Sequence, residues 1–157
     1  MLTFSAHLPE VTLEPGEAVV TEGGGAGAIW VLVSGALQVR KGDTTVNTIT
    51  VPGSMVGEMS VLLGTPHGAT VEATESTTLR FAADGNELLL SDPEVTRLLA
   101  IGLAERLNYV SSYLADLKVQ YGDAPGLAMV SDVLARLAQQ KDGGAQSGSV
   151  RDPDPEY

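Results

Sequence analysis

The sequence lacks cysteine, which excludes disulfide bonds, thiolate metal sites and a cysteine nucleophile. It is also poor in basic residues: 9 Lys and Arg stand against 20 Asp and Glu, for a formal net charge of −11. Because nucleic-acid binding requires Lys and Arg to neutralise phosphates, no nucleic-acid partner is expected. No apolar run reaches the about 18–20 residues of a membrane span, and residues 1–5 do not resemble a signal peptide. We therefore expect a cytoplasmic protein without membrane insertion.

Aromatic residues are scarce as well, at 4% of the chain, although 43% of the residues are hydrophobic. The core must therefore be built from Val, Leu, Ile and Ala. A length of 157 residues fits one ordinary domain or a small domain with an appendage. The 18 glycines stand mostly in turns between short apolar runs, which favours an all-β portion.

The first half of the chain alternates between such runs and turns. Strands are predicted at 11–13, 18–21, 28–40 with a bend or hairpin at Ser34–Gly35, 44–51, 69–73 and 77–82. Short strands at this spacing are typical of a sandwich or small barrel. The glycine-rich segment 22–27 is interpreted as a hairpin loop, since it lacks the Lys-Ser/Thr of a phosphate-binding loop. Trp30 is interpreted as packing rather than as a platform for a base.

Helical periodicity replaces this pattern after residue 84. A short helix is predicted at 84–90, followed by a long helix that begins with Ser91 as N-cap and ends near Tyr121. A second amphipathic helix is predicted at 127–140, and a polar, disordered tail at 141–157. The long helix carries an apolar seam with spacings of 4, 3, 4, 3 and 4 residues, which favours pairing of two chains over packing on its own sheet. The seam residues are Leu103, Leu107, Val110, Leu114, Leu117 and Tyr121.

Segment 55–73 contains the strongest functional signal. A strand ends at Gly57, a short helix begins at Glu58, a Gly-Thr-Pro turn follows, and a strand resumes at Ala69. The free N–H groups and the dipole at a helix N-terminus favour an anion. Gly57 and Gly68 allow close approach of the backbone to a ligand, and Glu58 can accept a hydrogen bond from a hydroxyl.

This segment closely resembles the phosphate-binding cassette of cyclic nucleotide-binding domains, whose pattern is roughly Gly-Glu-x-x-x-Leu-x-x-x-Pro-Arg-x-Ala-Thr. The matches, without insertion or deletion, are Gly57, Glu58, Leu62, Pro66, Ala69 and Thr70. The resemblance implies a mainly β fold with C-terminal helices, in which an antiparallel, jelly-roll-like β-roll precedes a dimerisation-type helix. The expected organisation is a β-roll at 1–90, the long dimer helix at 91–121, an additional helix at 122–140 and the tail at 141–157.

The resemblance also implies a ligand site for cAMP or cGMP and no obligatory cofactor. The phosphate would contact the N–H groups of Met59, Ser60 and Ala69, and Glu58 would accept from the ribose 2′-hydroxyl. Thr70 or Ser60 would add a hydroxyl contact. His67 stands where the family has its phosphate-binding arginine, and losing a charge-assisted contact weakens binding by roughly 1.5–3 kcal/mol. The implied ligand-binding set is Gly57, Glu58, Met59, Ser60, His67, Gly68, Ala69 and Thr70.

Two functional hypotheses follow. The first is a non-enzymatic regulatory module that senses a small ligand, with cyclic nucleotide binding weakened by His67. The second is a dimeric interaction or scaffold protein that keeps the β-roll without binding a nucleotide.

Only two histidines are present for a cupin-like metal site, and no nucleophile elbow occurs. After the long helix the sequence offers one helix and an acidic tail, so we expect a stand-alone bacterial-type member without a DNA-binding domain. Its expected partners are a second copy, through the long helix, and an unidentified protein.

Overall fold

The computed structural model describes residues 1–121 and 128–138, which form eight strands and four helices. The predicted strands are all present, with ends that differ by at most two residues. The strands are β1 Glu10–Leu13, β2 Ala18–Val20, β3 Ile29–Ser34, β4 Leu37–Lys41, β5 Thr44–Ile49, β6 Met55–Val56, β7 Thr70–Ala73 and β8 Thr77–Ala82. The helices are α1 Glu58–Leu63, α2 Gly85–Leu90, α3 Pro93–Tyr121 and α4 Ala128–Ala138.

The strands form two antiparallel four-stranded sheets, in the orders β1-β8-β3-β6 and β2-β7-β4-β5. The predicted β-roll with C-terminal helices is therefore confirmed. A cluster of small and medium aliphatic side chains forms the core, as the scarcity of aromatic residues requires. Burial of each Val or Leu stabilises the fold by about 1.5–3 kcal/mol. The cluster contains Val20, Leu32, Leu37, Val56, Val71, Ala73 and Leu79.

Several turns between consecutive strands connect the two sheets instead of closing hairpins. The glycine-rich segment after β2 leads from one sheet to the other, so its interpretation as a hairpin loop is wrong. Ser34–Gly35 is likewise a crossing, because β3 and β4 belong to different sheets. The hairpin between β4 and β5, in contrast, is present, with Lys41 paired to Thr44. Local turn chemistry indicates where the chain bends but not which strand it will pair with.

Two of these crossings are fastened to each other by Thr77, a fully buried residue at the start of β8. Its Oγ1 accepts from the N–H of Ala36 at 3.1 Å and lies 2.9 Å from the carbonyl oxygen of Glu75, to which it donates. Gly35 approaches so closely that an added Cβ would lie 2.7 Å from the Cα of Thr77. We call this contact the Thr77 joint.

The two helices that follow β8 directly, α2 and α3, begin at side-chain caps. Asp84 accepts from the N–H of Glu87 at 3.0 Å and caps α2. The cap of α3 is Asp92, whose Oδ1 accepts from the N–H of Glu94 at 2.7 Å. The prediction of Ser91 as this cap is therefore wrong, because Ser91 ends α2 and donates to the carbonyl oxygen of Leu88. Pro93 then occupies the first helical position, where its missing N–H costs nothing.

The described chain divides into two compact units, and the division falls inside α3. One unit contains Met1–Thr96 and the other begins at Arg97. Within α3, three seam residues are exposed, namely Leu107 (49%), Val110 (47%) and Tyr121 (60%), while the other three are half-buried.

In the part of the chain with assigned structure, no helix has the length and apolarity to span a membrane. The predicted tail at 141–157 lies outside the described residues.

Candidate functional site

Gly57 joins β6 to α1 in a conformation that only glycine adopts without strain. Its φ is +94°, and a Cβ at this position would lie 2.6 Å from the carbonyl oxygen of Ala28. The helix has no side-chain cap, and the first intrahelical bond runs from the N–H of Val61 to the Gly57 oxygen. The amides of Met59 and Ser60 precede this bond, so they belong to the turn that an α-helix leaves without internal acceptors.

The first turn of α1 separates its side chains sharply by exposure. Glu58 is buried, with 4% of its surface exposed, and Ser60 is equally buried. Met59 lies between them and is exposed to solvent. Met59 could therefore contribute to a ligand site only through its backbone N–H, whereas Glu58 and Ser60 have buried side chains.

Ser60 and His67 form a buried hydrogen bond across the turn of the cassette. The Oγ of Ser60 lies 2.9 Å from Nδ1 of His67, and the two side chains are 5% and 7% exposed. A serine hydroxyl both donates and accepts, so it satisfies either neutral tautomer of the imidazole. His67 is consequently held by Nδ1, and only Nε2 is left for another partner.

The backbone of His67 is paired with the glycine-rich segment that precedes β3. The N–H of Gly23 donates to the His67 oxygen at 2.8 Å, and the His67 N–H donates to the Gly24 oxygen at 3.0 Å. A side chain at Gly24 would collide with Thr21, since an added Cβ would lie 2.9 Å from the Thr21 oxygen. The glycines therefore allow this segment to lie against the cassette, a function that the sequence pattern did not reveal.

Thr70 and Glu22 extend this contact to the hairpin between β4 and β5. The Oγ1 of Thr70 accepts from the N–H of Glu22 at 3.0 Å. The carboxylate of Glu22 in turn accepts from the N–H of Gly42 at 2.9 Å. The Thr70 hydroxyl, predicted to contact a phosphate, thus already supports the glycine-rich segment. Glu22 is a site residue that sequence reasoning missed, because its partners lie 20 and 48 positions away.

Arg40 is the arginine on the strand next to Thr70, but its guanidinium is already engaged. Nε and Nη2 donate to the two carboxylate oxygens of Glu72 at 3.0 and 3.1 Å, a bidentate pair, and Nη1 donates to the Gly42 oxygen. The hydrogen bond from Arg40, with its positive charge, lowers the pKa of the Glu72 carboxyl, and the same bond raises the pKa of Arg40. This arginine therefore does not replace the one that the cassette lacks.

A cleft of about 210 Å³ opens beside His67. It lies against β2 and the glycine-rich segment, and its walls include Val19, Val20, Thr21, Trp30 and His67. Trp30 also packs on Phe81, with ring centroids 5.3 Å apart, as expected for a packing residue. Of the eight predicted ligand-binding residues, only His67 lines this cleft.

The structure thus brings part of the predicted site together. Gly57, Glu58, Met59 and Ser60 form one continuous turn, Ser60 contacts His67, and Thr70 is tied to the same region through Glu22. Gly68 is exposed and Ala69 half-buried beside them. Over residues 1–121 and 128–138, no three His, Asp or Glu side chains are grouped so as to hold a metal ion.

Comparison with known proteins agrees with this geometry. A family model for the cyclic nucleotide-binding domain matches residues 10–91, more than half of the chain. No curated protein matches the chain with significant sequence similarity. Among solved structures, the catabolite activator protein of Thermus thermophilus is similar with a TM-score of 0.61 and 21% identity, over 86% of this chain and 78% of that one.

Two further structures share the fold. CBD2 of PKAR bound to Sp-2Cl-cAMPS is 20% identical with a TM-score of 0.54, over 69% of this chain and 75% of that one. A structure from a cyclic-GMP-dependent signalling pathway that regulates bacterial phytopathogenesis is 22% identical with a TM-score of 0.58, over 68% and 91% of the two chains. At these identities the likeness concerns the fold.

Proposed function

Because the chain belongs to the cyclic nucleotide-binding domain family, we propose that it is a non-enzymatic regulatory module that binds cAMP or cGMP weakly. The observation that carries this proposal is the turn from Gly57 to Ser60, which presents backbone N–H groups next to a buried carboxylate at Glu58. Two similar structures supply the ligand class: one contains a cAMP analogue and the other belongs to a cGMP-dependent pathway. Domains of this family regulate rather than catalyse.

The phosphate would be held mainly by backbone. The N–H groups of Met59, Ser60 and Ala69 would donate to it, and the carboxylate of Glu58 would accept from the ribose 2′-hydroxyl. His67 is fixed through Nδ1 to Ser60, so a neutral imidazole would offer at most one further bond, where arginine gives a bidentate contact. The expected loss of roughly 1.5–3 kcal/mol corresponds to about a ten- to hundredfold weaker affinity.

Isothermal titration with cAMP and cGMP at pH 6 and pH 8 tests this proposal. We expect measurable binding at both pH values and weaker binding in His67→Ala, because that variant loses the imidazole contact. The substitution His67→Arg should raise the affinity at least about tenfold. His67→Gln is the matched control, since it supplies a neutral donor without charge. Absence of heat at millimolar ligand at both pH values would exclude these two nucleotides.

The long helix supports a second element of the proposal, assembly of two copies. Leu107, Val110 and Tyr121 expose apolar surface at coiled-coil spacing on α3. We expect the double substitution Leu107→Asp/Leu114→Asp to halve the mass observed by sedimentation. Asp substitutions at Glu105 and Ser112, polar positions outside the seam, are the control. An unchanged mass in the seam variant would contradict pairing through this seam.

The burial of His67 and its hydrogen bond to Ser60 also favour the alternative function, a scaffold that assembles through its helices without a nucleotide. In that case neither nucleotide would bind to any His67 variant, while the seam substitutions would still dissociate the assembly. The titration and the sedimentation experiment therefore distinguish the two functions.

A further inference from the structure

The cleft beside Trp30 has the size and walls of a binding site for one small ring. We name it the Trp30 cleft; it is lined by two glycines and by Ala18, Val19, Val20, Thr21, Trp30 and His67. Its volume is about 210 Å³. The cleft is open to solvent, and polar and apolar atoms contribute similar shares of its walls. The indole of Trp30 and the two valines provide the apolar contact that an aromatic ring requires.

Thr21 and His67 are the polar side chains that line this cleft in the described part of the chain. His67 is 7% exposed, and its Nδ1 is occupied by Ser60, which leaves Nε2 without a hydrogen-bond partner in the protein. Within the described residues, no fully buried polar side-chain atom lacks a partner, so Nε2 must reach accessible space. His67 also lines the Trp30 cleft. A molecule in the cleft would therefore meet Nε2 as a ring nitrogen without a protein partner.

The chemistry of the walls restricts what can bind. No Asp, Glu, Lys or Arg is among the residues that line the cleft in the described part of the chain. A charged ligand would lose its hydration without gaining an ionic partner, which is costly. An uncharged ring loses little, and a single hydroxyl or ring N–H can pair with Nε2. Because the Ser60 hydroxyl accommodates either tautomer, Nε2 can serve as acceptor or donor.

We propose that the Trp30 cleft binds a small uncharged aromatic molecule with one hydroxyl or ring N–H group, which packs against Trp30 and hydrogen-bonds to Nε2 of His67. This site shares His67 with the proposed nucleotide site, but its other walls belong to β2, the glycine-rich segment and β3, and not to the first turn of α1. Titration with phenol does not require a nucleotide, so its outcome is read separately from that of the cAMP and cGMP titrations.

Trp30 is the one tryptophan of the chain, which makes the cleft directly observable. Protein labelled with 5-fluorotryptophan should give a single ¹⁹F resonance, and titration with phenol should shift it to saturation with a Kd in the millimolar range. Toluene has nearly the same shape but cannot form the hydrogen bond. Ala18→Leu, which adds volume at an exposed wall position, should weaken phenol binding at least about fivefold. No saturable shift up to about 20 mM phenol, or an unchanged Kd in Ala18→Leu, would overturn the proposal.

The hydrogen bond is tested by the variant His67→Phe/Ser60→Ala, which keeps a ring in place and removes both partners of the buried bond. The quantity to compare is the ratio of the toluene Kd to the phenol Kd, since it cancels general changes in the cleft. We expect this ratio to fall by roughly two- to twelvefold, the equivalent of one neutral hydrogen bond. If the ratio is the same in both proteins, Nε2 does not contact the ligand and the proposal is wrong.

Discussion

Replacing Gly57 with alanine should destabilise the β-roll more than the same replacement at Gly64. Both glycines flank α1 and both have a positive φ, +94° and +63°. They differ in their surroundings. An added Cβ at Gly57 would lie 2.6 Å from the Ala28 oxygen and 3.4 Å from the Trp30 ring, whereas nothing lies within 4 Å of the Cβ position at Gly64. The pair thus separates the cost of backbone conformation from the cost of collision.

The expected magnitudes follow from these two terms. An alanine in the left-handed region costs roughly 1–2 kcal/mol, and this is the whole effect expected at Gly64. At Gly57 the added Cβ collides with the backbone oxygen of Ala28, the residue before β3, and this oxygen cannot rotate away as a flexible side chain would. Forcing such a shift typically adds about 1–3 kcal/mol. We therefore expect a loss of about 2–5 kcal/mol for Gly57→Ala.

Urea unfolding followed by tryptophan fluorescence is a suitable assay, because Trp30 lies in the β-roll and contacts Phe81. The unfolding midpoint gives the change in stability, provided that the slope with urea stays constant. If Gly64→Ala proved equally or more destabilising, then the close approach of Ala28 would not be the reason for glycine at position 57.

Three other predictions concern polar contacts. Glu72→Gln should lower the Tm at pH 7 and have little effect in acid. The pKa of the Glu72 carboxyl is lowered from its ordinary value of 4.5, so the ionised carboxylate stabilises the fold above pH 4.5. This stabilisation is lost as the pH falls through the lowered pKa. Calorimetry from pH 7 to pH 2 measures this dependence, and an effect that persists in acid would contradict the role of Arg40. Asp92→Ala should cost about 1 kcal/mol in urea unfolding, because it removes the cap of α3, whereas Asp92→Asn should be nearly neutral. Glu22→Ala should speed hydrogen exchange at the Gly42 amide about two- to tenfold, and an unchanged rate there would show that the Glu22 carboxylate is not a stable acceptor.

Much of the fold could be predicted from the sequence because its signals are local. Alternating apolar residues and glycine turns indicate strands such as β8, whose predicted and observed bounds coincide at Thr77–Ala82. The start of α3 is ambiguous in the sequence, because Ser91 and Asp92 are adjacent and both residue types cap helices. In the structure Ser91 is the last residue of α2, and Asp92 caps α3.

The site could be predicted only in part, because its remaining half depends on long-range pairing. The residues from Gly57 to Ser60 form one local turn, and their spacing identifies it. The pairing of Gly23 and Gly24 with His67, and the link from Glu22 to Thr70, join positions more than forty residues apart. No periodicity encodes such contacts. The buried partner of His67 was equally invisible, although Ser60 lies only seven residues away, since a turn can direct two side chains together or apart.

The Thr77 joint bears on how the β-roll gains and loses its structure as a whole. It connects Ala36 and Thr77 across 41 residues, so closing it costs about 3 kcal/mol of chain entropy before any strand pairing compensates. We therefore expect the joint to form only once both sheets are largely assembled. Separation of the sheets would expose the fully buried Thr77 hydroxyl. We expect the two sheets, which share no strand, to unfold together for this reason.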